Sequence, residues 1–145
     1  MRSLILFFLF SANVVFAQHS IIPEPVSYES TNDTFLLRGQ LNIATYGLDR
    51  TDITVTNFIK YANSIGIHTK HGSIDATTLS LEIDPKRNLD QEGYELIVKH
   101  KHIMIMAGTS AGLFNGLQTL KQLFPPAGIT HDTVKIPGCI IKDSP

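Results

Sequence analysis

The chain has 145 residues, of which 12 are basic, 13 acidic and 43% hydrophobic, giving a net charge of −1 with histidine neutral. That balance offers no electrostatic footprint for nucleic acid or an anionic membrane. Cys139 is the single cysteine, so an internal disulfide is excluded, and with it the stapled frameworks of small secreted modules.

The first segment reads as a leader. Arg2 precedes an apolar run from Leu4 to Phe10, and Val15-Phe16-Ala17 supplies a small-residue cleavage pattern. Ser11 and Asn13 interrupt the run, which falls short of the roughly 20 apolar residues a bilayer core demands. Residues 1–17 are therefore expected to be a cleaved signal peptide, with the mature chain starting at Gln18. No cysteine follows the run for lipid attachment. Export to the periplasm or the exterior, without a membrane anchor, is the expected outcome. The rest of the chain is long enough for one domain with its own packed core.

The mature chain opens with Ile21-Ile22-Pro23-Glu24-Pro25-Val26, an extended segment, because proline fixes its own φ and pushes the preceding residue out of the helical region. Phe35 to Leu37 and Leu41 to Tyr46 read as short strands around a turn at Arg38-Gly39-Gln40. From Asp49 to Ile65 the spacing predicts a helix: Thr51 or Asp52 caps it, Val55, Phe58, Ile59 and Ala62 share a face, and Gly66 stops it. Thr78 to Ile83 alternates apolar with polar, the period of a strand with one buried face, and Asp84-Pro85 ends it.

Tyr94 to Val98 and Ile103 to Ala107 predict an antiparallel hairpin around His100-Lys101-His102, its second strand apolar enough to be covered on both faces. A second helix runs from the capping residue Thr109 to about Phe124, with Leu113, Leu117, Leu120 and Phe124 as its stripe, before Pro125-Pro126. Gly112 and Gly116 each cost that helix on the order of 1 kcal/mol of propensity relative to Ala. Close approach to a sheet offsets that cost. A last strand-like run follows at Ile136 to Lys142. The order gives an α+β fold (an α/β sandwich): a mixed or antiparallel sheet of at least four strands with two helices on one face.

Four features could carry chemistry, and each has a plainer reading. Glu82, Asp84, Asp90, Glu92 and Glu95 cluster in sequence, and a glycosidase needs two carboxyls about 5 to 10 Å apart around a pocket. No aromatic platform accompanies them, so solvated strand ends and loop are expected. His68 with His71, and His100 with His102, have metal-like spacing, but zinc takes three or four ligands and the zinc-protease motif is absent. Cys139 lies beside Ile140 and Ile141, which suggests a buried apolar residue rather than a nucleophile. Gly108-Thr109-Ser110-Ala111-Gly112 lacks the order of a nucleophile elbow and the lysine of a P-loop, leaving a capped strand-to-helix turn. No residue is expected to be catalytic, to bind a cofactor or to hold a metal.

Ile22-Pro23-Glu24-Pro25, Glu92-Gly93-Tyr94-Glu95-Leu96, Gly112 to Leu120, Ile136-Pro137-Gly138 and Ile141 to Pro145 form an ordered set across nearly the whole mature chain. The set resembles the N-terminal domain of secreted bacterial β-N-acetylhexosaminidases, the family 20 glycoside hydrolases. That resemblance implies a zincin-like topology, no cofactor, and a partner domain, a (β/α) barrel in the same polypeptide, that carries the active site. In the family a barrel Glu is the general acid, and a neighbouring Asp orients the substrate's acetamido group, which serves as the nucleophile. This sequence has no Asp-Glu dipeptide and no tryptophan, so no catalytic residue transfers to it.

Residues 18–138 are thus expected to be the hexosaminidase-like domain, and residues 139–145 the start of a connector to a barrel missing from a truncated chain. The parent enzyme would hydrolyse terminal N-acetyl-hexosamines, while this chain alone would be inactive. The alternative is a stand-alone secreted module that binds glycan or protein.

Overall fold

A computed structural model describes residues 21–72, 78–125 and 133–145; the expected signal peptide lies outside the described residues. The elements are β1 (Ser27–Arg38), β2 (Gln40–Tyr46), α1 (Ile53–Ser64), β3 (His68–His71), β4 (Thr78–Ile83), β5 (Tyr94–Val98), β6 (His102–Ala107), α2 (Ser110–Leu123) and β7 (Thr133–Asp143). The strands form one sheet in the order β1-β7-β5-β6-β4-β2-β3. It is mixed. β2 pairs in parallel with β3 and β4, and β4 with β6, whereas β5 is antiparallel to both β6 and β7, and β1 to β7.

Each helix forms where its capping chemistry and apolar face agree. α1 begins later than the expected Asp49, because Asp49 is spent on a turn, accepting hydrogen bonds from the Thr51 amide at 2.7 Å and the Thr51 hydroxyl at 2.6 Å. Those bonds also hold the Asp49 carboxyl below its ordinary pKa. Asp52 then caps the helix through the Thr54 amide at 2.8 Å, and Gly66, at φ +87°, leaves it in a conformation glycine adopts without strain. α2 is capped by Thr109, whose hydroxyl accepts from the Gly112 amide at 3.2 Å and donates to the Gln91 carbonyl.

The two helices lie on one face of the sheet and share one core with it. Cross-strand register puts Ile43, Leu79, Ile103, Leu96 and Ile141 toward that face, where they are buried with Val55, Phe58 and Ala62 of α1 and Leu113, Leu117 and Leu120 of α2. Removing each such side chain from water stabilises the fold by about 1.5–3 kcal/mol. The glycines of α2 sit where the helix touches the strands. A Cβ at Gly116 would come within 2.6 Å of Ile105 Cγ2, and one at Gly112 would overlap the Gly93 carbonyl oxygen.

Three parts of the sheet depart from the sequence expectations. β1 runs from Ser27, well before Phe35, because its polar first half is an exposed edge held by ladder bonds to β7, not by a buried face. β3 was not expected at all: it is a four-residue edge strand with no buried side chain. β7, expected as a strand-like run over Ile136 to Lys142, starts earlier at Thr133 and reaches Asp143, and of the residues also read as the start of a connector Cys139 to Lys142 pair with both β5 and β1, Asp143 with β5.

The turn at Arg38-Gly39-Gln40 is present, with Gly39 at φ +78°, but it does not make a hairpin. β1 and β2 are separated by β7, β5, β6 and β4, a lateral distance of about 24 Å at ~4.8 Å per strand. Two peptide units reach at most about 7 Å. The far half of the β1–β7 ladder must therefore bend across the end of the sheet, under the β5–β6 turn, where the Leu36 amide bonds the His100 carbonyl at 3.4 Å.

Candidate functional site

The acidic cluster separates into different environments. Glu82 and Glu95 lie on the helix-free face in one cross-strand row, Glu82 opposite Met106 and Met106 opposite Glu95. Two strand spacings put their backbones about 10 Å apart, near the carboxyl separation of an inverting glycosidase. The space between them is filled. Arg87 reaches in from the loop after β4, its guanidinium 3.6 Å from Glu82 and 4.0 Å from Glu95, with nearly buried Met106 in the same row. Lys142 adds a second contact to Glu95 at 3.2 Å. Arg87 thus lies between the two carboxylates, and partly exposed ion pairs of this kind contribute about 0–1 kcal/mol each.

The other acids take no part in that row. Asp84 accepts from the Lys86 amide at 3.0 Å and Asp90 from the Ser144 hydroxyl at 2.6 Å, while the Glu92 carbonyl accepts from the Asn115 side chain at 3.1 Å. Arg87 and Lys142, the partners that define the charged row, carried no sequence signal, because neither belongs to a periodic pattern.

The histidines do not converge. His68 and His71 are three apart on the same strand, and side chains in a strand alternate, so the two point to opposite faces. His100 sits in the β5–β6 turn and His102 opens β6. Among the described residues no three His, Cys, Asp or Glu side chains group as a metal site.

Cys139 is buried in the core, and burial pushes its thiol from the ordinary 9.0 up to about 11. Burial of this kind disfavours the thiolate, the nucleophilic form. The Tyr94 hydroxyl meets Thr119 of α2 at 2.5 Å inside the core, and burial raises its pKa too. That bond joins β5 to α2, a contact between residues 25 apart that periodicity does not reveal. The Gly108 to Gly112 segment is the capped turn that the sequence suggests, its Gly112 amide taken by the cap.

The acids, the histidines and Cys139 thus lie in separate environments of one packed sheet-and-helix core. The structure is similar to the GH20 exo-β-N-acetylglucosaminidase from Vibrio harveyi in complex with N-acetylglucosamine, with a TM-score of 0.74 and 26% identity over 94% of this chain but 20% of that one. It is also similar in fold to a Streptomyces plicatus β-hexosaminidase (TM-score 0.73, 22% identity, 86% of this chain and 26% of that one). The β-N-acetylhexosaminidase from Bacteroides fragilis NCTC 9343 matches at a TM-score of 0.64 and 19% identity, over 86% of this chain and 24% of that one. The chain spans between a fifth and about a quarter of the length of these proteins. The family model for glycosyl hydrolase family 20, domain 2, matches residues 18–144, and the chain belongs to that family.

Proposed function

We propose that this chain is the non-catalytic N-terminal domain of an exported β-N-acetylhexosaminidase, whose barrel removes terminal N-acetyl-hexosamine residues by substrate-assisted retaining catalysis. The observation that carries the reading is the match of one family domain across residues 18–144, alongside proteins of which the chain covers 20% and 26%. In such an enzyme the acid and the residue that orients the acetamido group belong to the barrel, and this chain supplies a support for it.

The distribution of exposed apolar side chains favours a support. Ile53 at the start of α1 and Phe114 on α2 stand 67% and 48% exposed on the helix layer. Ile22 and Val26 are exposed in the segment that runs beside α2, tied to it by two hydrogen bonds between Ile22 and the Gln122 side-chain amide, at 2.9 and 3.0 Å. Exposed apolar groups mark contact surfaces, and the helix layer carries Ile53 and Phe114 while Tyr46 stands exposed on the opposite face. A neighbouring barrel is the occupant this reading requires.

The test is release of nitrophenol from nitrophenyl N-acetyl-β-glucosaminide by purified residues 18–145, beside a protein extended through the downstream reading frame. Turnover by the extended protein alone is the expected result. Turnover by residues 18–145 would overturn the proposal and return attention to Glu82 and Glu95.

A further inference from the structure

We draw no further inference here: the strongest candidate, the row of Tyr46, Glu82, Met106, Glu95 and Lys142 crossed by Arg87 on the helix-free face of the sheet, is a surface ion-pair network, and nothing in the structure shows what covers it.

Discussion

Replacing Gly112 by alanine sets two effects of opposite sign against each other. Helix propensity favours alanine by about 1 kcal/mol, but its methyl would overlap the Gly93 carbonyl oxygen and crowd Ala107 Cβ at 3.2 Å. Overpacking against backbone typically costs about 1–3 kcal/mol and occasionally more. Gly112→Ala is therefore expected to lower stability by about 1 kcal/mol, read as a fall in the urea midpoint; a raised midpoint would show that α2 does not approach the start of β5 so closely. Cys139 gives a pH signature at the same scale. The unfolded thiol ionises near 9.0 and the folded one near 11, so folding prefers the protonated form. Its contribution is complete below pH 9 and is lost as pH rises toward 11. Between pH 8 and 11 the urea midpoint should fall more steeply in the wild type than in Cys139→Ala, with Tyr61 and Tyr94, also raised by burial, as shared background. Parallel profiles would contradict a buried thiol.

Among the elements, the two caps differ in how many bonds depend on them. Asp52 satisfies one amide of α1, so Asp52→Ala should cost about 1 kcal/mol. Thr109 caps α2 and also holds the Gln91 carbonyl, so Thr109→Ala should cost about 2 kcal/mol, the second part being one ordinary hydrogen bond. Equal losses in urea titrations would mean that the Gln91 bond contributes nothing. These caps were readable in sequence because a cap is a local event: a short polar side chain just before a periodic apolar run. β4, β5, β6 and both helices were readable for the same reason, each presenting a buried face in its own residues. β1 and β3 were not. Their polar stretches are held in the sheet by partners elsewhere in the chain, and a ladder bond leaves no mark on the residue that makes it. The charged row was hidden likewise, since Glu82, Arg87, Glu95 and Lys142 meet only once four segments are assembled.

For the whole molecule, the apolar side chains on the helix layer predict how the isolated domain behaves. Phe114 is half exposed and lies outside the buried stripe of α2, so Phe114→Ser should leave the urea midpoint within about 0.5 kcal/mol of wild type. The same change should reduce self-association of residues 18–145 measured by light scattering across a concentration series. Association that persists unchanged would remove Phe114 from the contact surface.

The β1–β7 ladder also sets an order of events. Among the described residues β1 has β7 as its one neighbour in the sheet, and Ser27 sits opposite Lys142. A chain that emerges from its N-terminus thus completes its first strand long before the strand that can receive it exists. Pairing across so much intervening sequence is slow, since the loop entropy is lost before any contact compensates. The polar half of β1 suits that interval: a newly made strand rich in Ser, Thr, Asn and Asp stays wetted and unattractive to other chains while it waits.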